Sequence, residues 1–232
     1  MNVRILRQLA PDALAYWESF EVNAPGDMSI AALLDHISYH DNAIDENGNP
    51  MTCIGWECSC LQGVCGSCAM VVNGHPVLAC ETFIRDLEGD TIEIRPLKKF
   101  PVVHDLIVDR AVIQDNLKRA NVCIGSYESN DKGSRAKRER SMRHQYEIAK
   151  CLKCGLCLEV CPNYTNGDNF FGALFANDCY LVAMRNKSKT SQIKEIYGEH
   201  FGRDCSKALS CMDVCPAGIS TIASIARLNR RI

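Results

Sequence analysis

Three cysteine clusters at fixed spacings constrain this chain more than any other feature. The 232 residues include 15 Cys, twice the number of Phe or Tyr. An odd count does not fit a simple disulfide framework, and a chain of this length does not need such staples. The first 20 residues lack the apolar core of a secretory leader, and no apolar run is long enough to span a bilayer. The expectation is therefore reduced thiols in a cytoplasmic-type compartment. Clustered reduced thiols bind metal.

The first cluster is Cys60-Leu-Gln-Gly-Val-Cys65-Gly-Ser-Cys68, followed eleven residues later by Cys80. This C-x4-C-x2-C…C pattern is the plant-type spacing for a [2Fe–2S] centre. Soft thiolates suit iron, two on each atom. Gly63 and Gly66 let the loop wrap closely and turn amides toward sulfur. Cys58 competes with Cys60 for the first position, but its spacing would be C-x6-C, so Cys60 is preferred. Structural zinc sites, the bland alternative, use separated C-x2-C pairs.

The second run is Cys151-Leu-Lys-Cys154-Gly-Leu-Cys157-Leu-Glu-Val-Cys161-Pro162, a bacterial ferredoxin signature. The third is Cys205-Ser-Lys-Ala208-Leu-Ser-Cys211-Met-Asp-Val-Cys215-Pro216. It repeats the second at an offset of 54 residues, with Ala208 where the second run has Cys154. In two-cluster ferredoxins the fourth cysteine of a run serves the other cluster. Cys151, Cys154, Cys157 and Cys215 are thus expected to hold a [4Fe–4S] cluster. Cys161, Cys205 and Cys211 would supply three thiolates to the second centre. Alanine cannot ligate iron, so a [3Fe–4S] cluster is expected there. Cys53, Cys58, Cys123 and Cys179 remain without an assigned role, with Cys179 expected as a small buried side chain.

The halves differ in charge. Residues 1–104 carry 6 Lys/Arg against 14 Asp/Glu, and residues 105–232 carry 20 against 14. Such asymmetry suggests two domains with different surroundings. Strands are expected at Val3–Leu9 and around Tyr16, Phe20 and Val22, which share one face. A helix follows from Ile30, Leu33, Leu34 and Ile37, then a loop at 45–50. A hairpin is expected from Ala69–Val72 and Val77–Ala79 about Asn73-Gly74, and a late strand at Thr91–Arg95. The second half reads as helical, ending in a helix with Ile222, Ile225 and Leu228 near one face and Arg227, Arg230 and Arg231 in its last turns. The fold expected is α+β: an N-terminal plant-type ferredoxin β-grasp domain (1–104), a connecting segment (105–144), and an all-helical bacterial-ferredoxin-like domain (145–232).

Residues 132–143 hold six basic residues and one acidic one. A solvated linker face explains them better than a nucleic-acid site, because no aromatics interleave. The sequence lacks G-x-S-x-G, H-E-x-x-H, Walker A and G-x-G-x-x-G motifs. The six His are scattered and read as surface or packing residues. No catalytic residue is expected; the chain carries electrons and performs no bond chemistry itself.

The order of these motifs resembles the iron–sulfur subunit of succinate dehydrogenase and fumarate reductase. The resemblance includes Cys65-Gly-Ser-Cys-Ala-Met70, the segment from Pro101 to Asp109, and both Cys-Pro runs. It implies a flavoprotein partner with covalent FAD, where succinate and fumarate interconvert. It also implies a membrane anchor with a quinone site and heme b, and a peripheral location on the cytoplasmic side of the cell membrane. Electrons would pass between flavin and quinone through [2Fe–2S], [4Fe–4S] and [3Fe–4S] in turn. Ubiquinone-reducing members carry a Trp and a His where this chain has Asn166 and Ser206. That departure looks more like subunits serving one-chain diheme cytochrome b anchors and menaquinone. The alternative is service to another flavoprotein reductase with a soluble donor, of the thiol-driven fumarate reductase or glycolate-oxidase type. A third reading, a zinc-binding regulatory protein, would show zinc without sulfide.

Overall fold

The computed structural model describes residues 1–39, 48, 53–122, 135–186 and 188–229, with 135–138 in backbone only. The expected 45–50 loop, apart from Gly48, lies outside the described residues, as do Cys123, Arg230 and Arg231. Residues Met1–Arg110 and Ala111–Ile232 form two separate units.

The first unit is built on a five-stranded mixed sheet. Its strands are β1 (Asn2–Arg7), β2 (Tyr16–Glu21), β3 (Ala69–Val72), β4 (His75–Leu78) and β5 (Thr91–Arg95), in the order β2-β1-β5-β3-β4. β1 pairs parallel with β5, setting Val3 beside Ile92 and Ile5 beside Ile94. All four of these side chains are buried. Helix α1 (Ile30–Tyr39) buries Ile30, Leu33, Leu34 and Ile37, the face its periodicity indicates. Each such side chain contributes about 1.5–3 kcal/mol when fully buried. Asn73 and Gly74 both take positive φ, 46° and 82°, as a two-residue hairpin turn requires.

Three local expectations shift. β4 begins at His75 and takes in Pro76; the strand lies at the sheet edge, where a residue without an N–H is tolerated. Of the face expected from Tyr16, Phe20 and Val22, only Phe20 is buried. β1 stops at Arg7, because Gln8 and Leu9 turn to bond the segment after the sheet. That segment forms a small hairpin of β6 (Val102–His104) and β7 (Ile107–Val108). Asp105 N–H donates to the Gln8 carbonyl at 2.7 Å, and Gln8 N–H donates to Asp105 Oδ1 at 3.1 Å.

Arg7 and Asp105 are both fully buried and ion-paired at 3.0 Å. Arg7 also pairs with Glu18 and donates to the Cys53 carbonyl at 3.2 Å. Asp105 Oδ2 accepts the Gly55 amide at 2.9 Å. One buried ion pair thus ties β1, the hairpin and the chain entering the first cysteine loop into a single seam.

The second unit is helical among the described residues. Its elements are α2 (Ala111–Arg119), α3 (Arg135–Ala149), α4 (Leu156–Glu159), α5 (Gly172–Arg185), α6 (Thr190–Tyr197), α7 (Ser210–Asp213) and α8 (Thr221–Asn229). Both α2 and α3 begin within the segment read as a connection, so much of it is helical. α5 is buried almost all round and packs against α6 and α8. Its start at Gly172 (φ 79°) leaves room only for a hydrogen, since a Cβ there would stand 2.1 Å from Leu158 Cδ2. The buried face of α8 is Thr221, Ser224, Ile225 and Leu228, whereas Ile222 is turned outward. The two polar members have partners: Asn177 Nδ2 donates to Thr221 Oγ1 at 3.0 Å, and Ser224 Oγ bonds His144 Nε2 at 3.0 Å.

Asp105→Ala is expected to lower unfolding free energy by about 3–5 kcal/mol, because it strands a buried guanidinium. Denaturant titration measures the loss, and amide exchange should accelerate at Gln8 and Gly55.

Candidate iron–sulfur sites

The first site lies in the irregular loop between α1 and β3 and on the turn after β4. Its four thiols come in two pairs. Cys68 and Cys80 are buried with their sulfurs 3.4 Å apart. Cys60 and Cys65 are both partly exposed. Two thiolates about 2.3 Å from one tetrahedral metal stand about 3.8 Å apart. The Cys68–Cys80 pair therefore has the reach for one iron. Gly63 donates its N–H to Cys80 Sγ at 3.3 Å, and Gln62 donates to Cys60 Sγ at 3.4 Å. Gly63 takes φ 68°, and a Cβ there would meet the Glu81 side chain at 2.7 Å. Donation from Ser67 N–H and from Cys60 lowers the Cys65 thiol to about 6, while burial pushes Cys68 up to about 12. Cys58 and Cys53 are exposed.

Sequence reasoning missed the brace behind this loop. Arg110 donates to the Gly66 carbonyl at 3.0 Å and the Ser67 carbonyl at 3.2 Å, and pairs with Glu57. These carbonyls lie between Cys65 and Cys68. Fixing them leaves the loop amides free to face the sulfurs.

The helical unit holds two more cysteine groups, each around its own space. One, about 320 Å³ including a part open to solvent, is lined by Cys151, Cys154, Cys157 and Cys215 with Lys153, Gly155 and Leu174. The other, about 310 Å³, is lined by Cys161, Cys205 and Cys211 with Ala208, Phe170 and Ala173. The grouping follows the exchange expected from the runs. Cys161 stands with the third run and Cys215 with the second. Adjacent residues of α5, Ala173 and Leu174, line one space each. Among the described residues no three or more His, Cys, Asp or Glu side chains come close enough to hold a single metal ion. An all-thiol donor set spread around an open space fits a polynuclear iron–sulfur cluster.

Burial raises the thiols here: Cys151 upward, Cys157 well above the usual range, and Cys211 to about 11. Such groups stay protonated until a metal displaces the proton. Cys179 is fully buried on α5, and burial raises its thiol well above the usual range. Asn166 Nδ2 donates to Asp168 Oδ2, and Ser206 Oγ donates to Asn163 Oδ1 at 2.6 Å.

A mixed-sheet unit and a helical unit, each folding cysteine loops around cluster-sized donor sets, define a two-domain iron–sulfur electron carrier. The families described as "2Fe-2S iron-sulfur cluster binding domain" and "4Fe-4S dicluster domain" match residues 2–115 and 147–219. The succinate dehydrogenase iron–sulfur subunit of Bacillus subtilis (strain 168) is 34% identical over 97% of this chain and 90% of the relative. The fumarate reductase iron–sulfur subunit of Escherichia coli O6:H1 is 30% identical over 84% and 78%. A chain in the Mycobacterium smegmatis Sdh1 complex in the apo form superposes with a TM-score of 0.72, at 22% identity, over 99% of this chain and 95% of that one. The chain belongs to the family of iron–sulfur subunits of succinate dehydrogenase and fumarate reductase.

Gly63→Val is expected to cut iron and sulfide content by about two of each per chain. A β-branched side chain at positive φ is strained and would displace the amide that reaches Cys80. Metal and acid-labile sulfide analysis of the purified variant gives the answer.

Proposed function

We propose that this chain relays single electrons between the covalent FAD of a flavoprotein subunit and a quinone in a membrane anchor, through [2Fe–2S], [4Fe–4S] and [3Fe–4S] clusters. The observation that carries the proposal is the division of thiols between the two spaces of the helical unit. Four surround one. Three surround the other, with Ala208 in the remaining place.

In this reading Cys60, Cys65, Cys68 and Cys80 hold the [2Fe–2S] cluster, and Cys151, Cys154, Cys157 and Cys215 the [4Fe–4S] cluster. Cys161, Cys205 and Cys211 hold the [3Fe–4S] cluster. When bound, the clusters supply one-electron carriers that split the electron pair handled by a flavin. The residues of this chain do the rest. Thiolates fix the iron, the Gly63 and Gln62 amides donate to ligand sulfurs, and the walls of α5 limit water. Succinate and fumarate chemistry belongs to the flavoprotein. Among the described residues no helix is long and apolar enough to cross a membrane. Attachment to a membrane therefore falls to the anchor, with this chain peripheral on its cytoplasmic side. Asn166 and Ser206 in place of Trp and His favour menaquinone held within a diheme cytochrome b anchor.

The test is Ala208→Cys. Three ferric ions carry an odd number of electrons, so an oxidised [3Fe–4S] centre is paramagnetic, whereas an oxidised [4Fe–4S] centre has an even number and is silent. Wild-type protein should hold about nine iron and ten sulfide per chain, and the variant about ten iron. The variant should lose the oxidised-state paramagnetic signal. Persistence of that signal in a variant of normal iron content would overturn the ligand assignment.

A further inference from the structure

Lys153 and its counterpart in the repeat, Lys207, occupy equivalent places with different surroundings. Both stand in left-handed backbone, φ 54° and 58°, and each lines the space of its own run. Lys207 is exposed to solvent. Lys153 is turned inward, where its ammonium is bonded to Asp178 on α5. The two side chains are only 27% and 15% exposed. The third run has no match for this clamp at the repeat offset, because the residue 54 beyond Asp178 is Ile232, not a carboxylate.

Reduction adds one electron to the Cys151, Cys154, Cys157 and Cys215 site without breaking a bond or moving a proton, and makes the site one unit more negative. A fixed cation at its wall favours that state, and a fixed anion opposes it. Partial burial spares the pair the solvent screening that an exposed lysine meets. We infer that the Lys153–Asp178 pair sets the reduction potential of this middle site, with Lys153 as its fixed cation and Asp178 as its fixed anion. Lys207 exerts no comparable effect on its own site. The inference rests on the cluster assignment proposed above.

The experiment is an EPR-monitored redox titration of the purified complex carrying the wild-type chain or single variants. Lys153→Met should lower the midpoint of the four-iron centre, and Asp178→Asn should raise it. Each shift should be about tenfold in the reduced-to-oxidised ratio at fixed poise, about 59 mV for one electron. Lys153→Arg, which keeps the charge, should leave the midpoint near wild type. Lys207→Met should leave the three-thiolate centre unmoved. Opposite shifts from the two neutral variants support the pair's role. Unmoved midpoints, or two shifts of the same sign, overturn it. If either variant loses its cluster, Lys153→Arg decides: a midpoint displaced as far as the neutral variants were expected to go overturns the inference. A wild-type complex without any four-iron centre would instead defeat the cluster assignment itself.

Discussion

The helical unit depends on an exchange of cysteines between its two runs. Cys215 closes the ring begun by Cys151, Cys154 and Cys157, and Cys161 joins Cys205 and Cys211. Neither group of cysteines lies within one run, so neither forms until segments 54 residues apart are packed together. That requirement explains the character of α5. A helix buried on nearly every face is an inefficient way to cover a surface but a good way to separate two sites. Its first turn does this with consecutive small and large residues, Ala173 toward one space and Leu174 toward the other. α5 also supplies Asp178, which pairs with Lys153, and Asn177, which donates to Thr221 Oγ1.

The sheet unit solves a different problem. Its ligand loop has little regular structure between residues 53 and 68, so its backbone must be held from outside. Two arginines do so. Arg7, paired with buried Asp105, fixes the entry at Cys53 and Gly55; Arg110, paired with Glu57, fixes Gly66 and Ser67. Burying an ion pair costs desolvation that its mutual attraction only partly returns. The gain is position. Guanidinium donors have fixed directions and can grip carbonyls at two points, which an apolar contact could not do. Hydrogen bonds to the sulfurs then come from amides that are not free to turn away.

What could be read from sequence was whatever carried its signal locally. Cysteine spacing, the 54-residue repeat, the Asn73-Gly74 turn and the apolar face of α1 are each contained in a short window. The missed features are long-range or contradict the local pattern. Arg7 sits at an inward position of β1, where alternation predicts an apolar side chain, and its partners Glu18 and Asp105, outside that strand, make a charge tolerable there. The buried face of α8 includes Thr221 and Ser224, polar residues whose partners Asn177 and His144 lie on other helices. β4 takes in Pro76, which a strand tolerates at a sheet edge. The inward clamp on Lys153 has no sequence signal, since a lysine between two ligands looks the same whether it faces protein or water.

Ala208, which replaces the cysteine of the preceding run, is set in a repeated backbone. Left-handed conformations recur at 153 and 207 and again at 155 and 209, and α4 and α7 begin at the same offset. Gly155 adopts its conformation at little cost. Leu209 pays roughly 1–2 kcal/mol for the same turn. A chain that merely tolerated an incomplete site would be expected to relax there, because nothing at 208 would need aiming. The third run instead keeps the strained turn on both sides of Ala208, so that residue stands on the same backbone as Cys154 in the second run. The local fold of the two runs is therefore the same with a thiol or a methyl group at this position.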